Sequence, residues 1–311
     1  MIYTINLNVA IDKTAKIDKL ELNTLNRLGE VITDAGGKGI NVAKNLASFD
    51  IDNIVLGIMP KDGSDFIKQE LDRLRIKYYI SIISGRVRTN LKLIDKEGRL
   101  TEINEKGVAI DEDDLEAFTS RVQDLLKAND ILILSGSLPT NVAKDYYAKL
   151  ILMAKEKGAY TILDADGEVF KLALDSKPTI IKPNRYELIQ YFNLDNNISN
   201  EELLNYAKTL VNEDTKIVVL SLGEDGAYFI RKNQIIKTEA LKLDVKSTVG
   251  AGDSMVAAIA YAFYNRLPFT YLARLASASA SASIIKEGTK AANIDLINHY
   301  LNKIEYQIIE N

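Results

Sequence analysis

An α/β fold, in three α/β/α layers around a mostly parallel sheet, is what this 311-residue chain predicts. Short β-rich runs alternate with helical patterns along almost its whole length. Several runs, such as Ile131-Leu-Ile-Leu134, are apolar throughout, as strands are when both faces are covered. Strands interleaved with helices pack as right-handed βαβ units. Two half-polar stretches break this rhythm and predict a smaller sheet outside the main one.

The elements follow in order. Ile2 to Leu7 alternates and reads as a strand. Residues 13–33 read as extended, exposed chain. Ile40, Ala43, Leu46 and Ala47 recur at helical spacing within 39–49. Ile54 to Ile58 is a buried strand. Residues 64–74 form a helix with Phe66, Ile67, Leu71 and Leu74 on one face. Residues 88–106 read as a hairpin: Asn90 to Ile94 alternates, Lys96 to Gly98 turns, and Leu100 to Ile103 returns. A strand at 131–134 precedes a helix at 143–157 closed by Gly158. Strands follow at 160–163, 179–181 and 216–221, with helices between. After the extended run 241–245, a helix opens at Gly252 with Val256, Ile259 and Phe263 on its buried face. The stretches 13–33 and 88–106 predict a small antiparallel sheet, either a lid over a site or a surface excursion. No linker or repeat divides the chain, so it is expected to be one domain over 1–311.

Composition narrows the chemistry. There is no cysteine, which removes disulfides and thiolate chemistry. The one histidine, His299, lies near the C-terminus, so a Ser-His-Asp triad or a histidine metal site is not expected. Acid–base work falls to Asp, Glu, Lys or Tyr. A net charge of −4 implies no general affinity for nucleic acid. No secretory signal is visible, and the apolar run from Met255 to Tyr264 is too short to span a bilayer. The expected location is the cytoplasm, with no membrane partner.

Five segments could carry chemistry. In Ala35-Gly-Gly-Lys-Gly-Ile-Asn41, glycines and Lys38 precede a helix, either as a plain turn or as a loop that lets backbone approach a sugar or phosphate. Its spacing is not that of a Walker A loop. In Gly250-Ala-Gly-Asp253, Asp253 falls in the first turn of a helix. It either complements the helix dipole or acts as a base beside a ring of amide donors. Met255 stands where a dinucleotide fingerprint needs its third glycine. Asn184 and Glu187, three apart after a buried strand, fit either a capping box or oxygen ligands for hydrated Mg²⁺. Ser221-Leu-Gly-Glu-Asp-Gly226 fits a nucleotide-binding strand end or a tight turn equally well. Ser135-Gly-Ser-Leu-Pro139 also ends a strand.

Together and in this order, these motifs resemble the ribokinase-like (PfkB) sugar kinases over essentially the whole chain. Asn8 to Asp12 and Arg88-Thr-Asn90 add to the likeness. The wording of Gly36-Gly-Lys-Gly-Ile-Asn41, Arg88-Thr-Asn-Leu-Lys-Leu93 and Gly250-Ala-Gly-Asp-Ser-Met255 is most similar to the hexose-phosphate kinase branch. The resemblance implies a ribokinase-like fold with a β lid, here about 13–33 and 88–106, that often pairs in homodimers. It implies phosphoryl transfer from ATP, with Mg²⁺, to a hydroxyl of a ketohexose phosphate; a monovalent cation is a further candidate. Fructose 1-phosphate is the preferred acceptor, with tagatose 6-phosphate or fructose 6-phosphate as alternatives. A catalytically silent nucleotide- or sugar-binding regulator is the non-enzyme alternative.

By the same resemblance, Asp253 is the base and the amides of Gly250, Ala251 and Gly252 form an anion hole. Asp12, Gly37, Lys38, Asn41, Arg88, Asn90, Lys92 and Ser137 fall on the substrate side, with Arg88 and Lys38 as candidates for its phosphate. Lys182, Asn184, Ser221, Gly223 and Gly226 fall on the nucleotide side, and Glu187 on Mg²⁺ through water. Three positions depart from the family pattern: Val9 for proline, Asp166 for serine, and Ala258 for glycine.

Overall fold

The computed structural model describes residues 1–310. The strand β1 (Ile2–Asn6) runs out into β2 (Ala10–Lys16), and β3 (Val31–Gly36) returns to α1 (Lys38–Ser48). Next come β4 (Asn53–Asp62), α2 (Ser64–Arg73) and β5 (Lys77–Arg86), before the chain leaves again through β6 (Arg88–Ile94) and β7 (Leu100–Asn104). The alternation resumes with α3 (Glu112–Leu125), β8 (Ile131–Ser135), α4 (Tyr146–Glu156), β9 (Tyr160–Asp164), α5 (Gly167–Asp175), β10 (Ile180–Ile181), α6 (Arg185–Phe192), α7 (Asn200–Thr209) and β11 (Ile217–Ser221). The last elements are β12 (Ala227–Arg231), β13 (Gln234–Thr238), α8 (Ala251–Tyr264), α9 (Phe269–Ile284), α10 (Ile294–Leu301) and β14 (Tyr306–Glu310).

The main sheet has ten strands in the order β14-β13-β12-β11-β10-β9-β8-β1-β4-β5. From β5 to β11 every pairing is parallel, because helical crossovers return the chain to the same edge. The apolar runs explain the layers. In β8, Leu132 and Leu134 enter the core under α3 to α7, while Ile131 and Ile133 enter the core under α1, α8, α9 and α10. Successive strand residues point to opposite faces, so a run without alternation needs cover on both. No helix among the described residues is long and apolar enough to cross a membrane.

The second sheet has the order β3-β2-β6-β7, and it corrects the expectation of an antiparallel sheet. β2 and β6 pair in parallel, although the β6–β7 hairpin is antiparallel as expected. The reason is geometric: β2 and β6 continue outward from β1 and β5, which run the same way in the main sheet. Part of 13–33 is also less exposed than expected, since Thr14, Ala15 and Ile17 are buried.

Smaller corrections concern faces and edges. Phe66 is 38% exposed; α2 buries Ser64, Ile67 and Leu71, and Phe66 lies one helical step off that stripe. Phe263 is only half-buried, whereas Val256 and Ile259 are fully buried. The helix expected from 143 starts at Tyr146, after a turn closed by the Tyr146 N–H on Ala143 O. The antiparallel edge made by β13 and β14 was not expected. Val9 and Ala258 are buried in apolar clusters, so both departures serve packing.

Candidate active site

The parallel strands end along one edge of the main sheet. Between that edge and the small sheet lies a cleft of about 1390 Å³. Every candidate residue named from the sequence lines it.

One part of the cleft is built by the start of α8. Gly250 takes φ +83°, a left-handed conformation that glycine adopts without strain, and turns the chain into the helix. The first amides of a helix lack internal acceptors. Here the Ala251 N–H makes only a 3.4 Å contact with Thr248 O, and among the described residues the Gly250 and Gly252 N–H groups have no backbone acceptor. Asp253 is buried in the first turn but does not cap its own helix. Its Oδ2 instead accepts a 2.9 Å hydrogen bond from Asn41 Nδ2 on α1. Burial pushes the Asp253 carboxyl up to about 6, with the Asp164 charge adding to the rise; Lys38, Asn41 and Lys182 hold it down.

Beside it stands a buried cluster that the sequence did not single out as a site. Asp164, at the end of β9, pairs with Lys182 Nζ at 3.0 Å and with Lys38 Nζ at 3.6 Å. Ser135 Oγ donates to its Oδ2 at 3.3 Å. Burial alone would raise the Asp164 carboxyl; the two ammonium groups and these hydrogen bonds outweigh it and lower it. In turn, Asp164 raises Lys38 well above the ordinary lysine range. A Cβ added at Gly252 would lie 3.4 Å from Lys182 Nζ, so the ammonium sits against the opening of α8. Two lysines and a helix N-terminus therefore converge beside Asp253, a setting that favours negative charge. The extra carboxylate of Asp166 falls near Lys38 and adds to the rise of its pKa.

At the small-sheet end, Asp12 is almost fully enclosed. Asn90 Nδ2 donates to its Oδ1 at 2.9 Å, and Lys92 Nζ lies 2.8 Å from its Oδ2. Lys92 is thus spent on Asp12. Arg88 donates from its Nη2 to Asn8 O at 3.0 Å, and burial lowers its pKa. Asn8 Nδ2 donates to Ser137 Oγ at 3.1 Å. Among the described residues, the Oδ1 atoms of Asn41 and Asn90 are buried without a hydrogen-bond partner. Two of the 36–39 glycines also have a role inside the protein, whatever their backbone meets in the cleft. A Cβ at Gly36 would lie 2.4 Å from Asp12 Cγ, and one at Gly39 would lie 2.4 Å from Asn6 Oδ1. Both make room for neighbours within the protein.

At the opposite end the capping box is realised. Asn184 Oδ1 accepts from the Glu187 N–H at 2.8 Å, and Glu187 Oε2 accepts from the Asn184 N–H at 2.8 Å. Among the described residues none donates a hydrogen bond to Glu187 Oε1, and burial raises this carboxyl. Among the described residues no group of three or more His, Cys, Asp or Glu gathers as metal ligands. One carboxylate with a free oxygen fits a hydrated Mg²⁺ that takes its remaining ligands from water and phosphates. Ser221 pairs with Asn184 across a parallel bridge. Gly223 opens a 3-10 turn at φ +63° with open space around it. Gly226 serves the fold: a Cβ there would meet Thr238 O at 1.9 Å. Beyond them Leu241, Val245, Ala280 and Ile284 line an apolar end, with Ser277 and Ser281 among them. The sequence reading missed this end, because α9 looks like a small-residue packing helix.

Known proteins resemble this chain over its length. The profile described as pfkB family carbohydrate kinase matches residues 5–296. A tagatose-6-phosphate kinase of Staphylococcus epidermidis is 34% identical over 307 residues, covering 98% of this chain and 99% of that protein. A 1-phosphofructokinase of Vibrio cholerae is 29% identical over 304 residues, covering 98% and 96%. The crystal structure of Escherichia coli phosphofructokinase-2 in complex with substrates and products superposes with a TM-score of 0.91 at 26% identity, covering 97% of this chain and 98% of that one.

Proposed function

The chain belongs to the pfkB family of carbohydrate kinases, and on that premise we propose that it transfers the γ-phosphoryl group of ATP to a hydroxyl of a ketohexose phosphate. One observation carries the proposal: a buried carboxylate, Asp253, whose pKa lies near neutrality, sits beside unpaired helix amides and two lysines. The Asp253 carboxylate accepts the hydroxyl proton as the sugar oxygen bonds to phosphorus. The bond from phosphorus to the leaving ADP oxygen breaks in the same displacement. The amides of Gly250, Ala251 and Gly252, with Lys38 and Lys182, stabilise charge on the phosphoryl oxygens. Magnesium bound through Glu187 would neutralise charge on the phosphate chain.

Asp12 and Asn41 hold sugar hydroxyls, and the unpaired Oδ1 atoms of Asn41 and Asn90 are acceptors such hydroxyls would satisfy. Arg88 takes the existing phosphate. The apolar end near Leu241 and Ile284 takes the nucleoside. The small sheet closes as a lid, and its exposed Val31, Leu100 and Ile103 suit pairing with a second copy.

Two acceptors lead. The Arg88 to Leu93 wording favours fructose 1-phosphate, and the higher identity to the staphylococcal protein favours tagatose 6-phosphate. A panel of fructose 1-phosphate, fructose 6-phosphate, tagatose 6-phosphate and ribose with ATP and Mg²⁺ tests both. One of the hexose phosphates should give the highest kcat/KM. Turnover of none of them above background would refute the proposal.

A further inference from the structure

Lys44 is the one lysine of α1 that faces away from the cleft into the protein, and it is buried. Its Nζ donates to Ala35 O at 2.8 Å and to Thr289 Oγ1 at 3.3 Å. Both acceptors are uncharged. Burial lowers its pKa, and the charges of Asp34 and Asp12 oppose the fall. A buried ammonium without a contacting carboxylate is a poor stabilising device. Its location suggests what else it does.

Ala35 lies in β3, an edge strand that pairs only with β2. The same edge is tied a second time: the Thr289 N–H donates to Asp34 Oδ2 at 3.2 Å. Lys44 and Thr289 thus fasten residues 34 and 35 to α1 and to the chain after α9. The next residue, Gly36, lies directly against the Asp12 carboxylate, closely enough that a Cβ there would overlap it. A small movement of 34–36 therefore displaces Asp12.

We propose that Lys44 is a positioning residue for the sugar-binding carboxylate: it locks β3, and through Gly36 it fixes Asp12. This rests on the kinase reading for what Asp12 binds, but not for the mechanical link. Lys44 touches no substrate.

The test compares wild type with Lys44→Met, Lys44→Arg and Thr289→Val. Amide hydrogen exchange at residues 10–12 and 34–36 reads the mechanical link, and steady-state kinetics read its consequence. Lys44→Met should speed exchange in both segments. It should raise KM for the sugar phosphate about tenfold, the effect of losing a charged hydrogen bond, with KM for ATP within about twofold. Lys44→Arg should recover most of the loss, and Thr289→Val should show a weaker version of it. Unchanged exchange, or a sugar KM that does not move apart from that of ATP, would overturn the proposal. Should Lys44→Met not fold, Thr289→Val decides by the same two criteria. Should wild type turn over no sugar phosphate, the kinase reading fails by itself, and the exchange result decides this one.

Discussion

Asn41 Nδ2 donates to Asp253 Oδ2 at 2.9 Å, joining α1 to α8 between two residues 212 positions apart. A hydrogen bond to the ionised form lowers a carboxyl pKa. Asn41, with Lys38 and Lys182, therefore favours the ionised form of this deeply buried carboxyl. Removing the donor in Asn41→Ala should raise the Asp253 pKa from about 6 by ~1 pH unit. A base works deprotonated, so kcat/KM, which follows the titration of the free enzyme, should fall as pH drops through that value. The acid limb of kcat/KM against pH should move upward in the variant. An unmoved limb would mean that Asn41 does not tune the base.

Asp253 also bears on stability. Its folded pKa of about 6 lies above the ordinary 3.8, so ionising it in the fold costs about 3 kcal/mol at pH above 6. The folded carboxyl gains its proton as pH falls below 6, and the penalty fades toward pH 3.8. Asp253→Asn should thus raise Tm at pH 7.5 and lose that advantage near pH 4. Thermal unfolding at the two pH values measures it.

Asp164 should behave in the opposite way. Its carboxyl is held low, so its contribution is present above the ordinary carboxylate range and is lost as pH falls through the lowered value. Asp164→Ala leaves the buried Lys182 ammonium without its partner and should destabilise the protein by about 3–5 kcal/mol. Urea unfolding at pH 7 checks the magnitude.

The glycines should separate by what surrounds them. Gly226→Ala forces a Cβ onto Thr238 O at φ +83° and should cost more than about 2 kcal/mol. Gly223→Ala meets open space and should cost only the strain of its φ, about 1 kcal/mol. Gly36→Ala should push the Asp12 carboxylate aside and raise the sugar-phosphate KM more than that of ATP. Chemical denaturation and steady-state kinetics on the three variants test this order.

Local chemistry was legible in the sequence where it is local in the fold. The buried runs at 131–134 and 216–221 read as strands because both faces are covered. Asp253 read as a base or a dipole partner because three small residues precede it. What was not legible depends on distant partners. Asp164 showed nothing special, because Lys38 and Lys182 reach it from α1 and from the end of β10. Gly36 read as a ligand loop because its neighbour Asp12 lies across a strand pairing. The parallel pairing of β2 and β6 follows from the directions of β1 and β5, which no local pattern records. The two readings of Asn184 and Glu187 are compatible: the capping bonds use one Glu187 oxygen and leave the other free.

The central claim is that Asp253 takes the acceptor's proton. The most direct measurement is turnover of the best hexose phosphate by wild type and Asp253→Asn, with ATP binding measured on both. Turnover should fall by about 10²–10⁴-fold while ATP affinity stays within about threefold of wild type. Turnover equal to wild type would contradict the account.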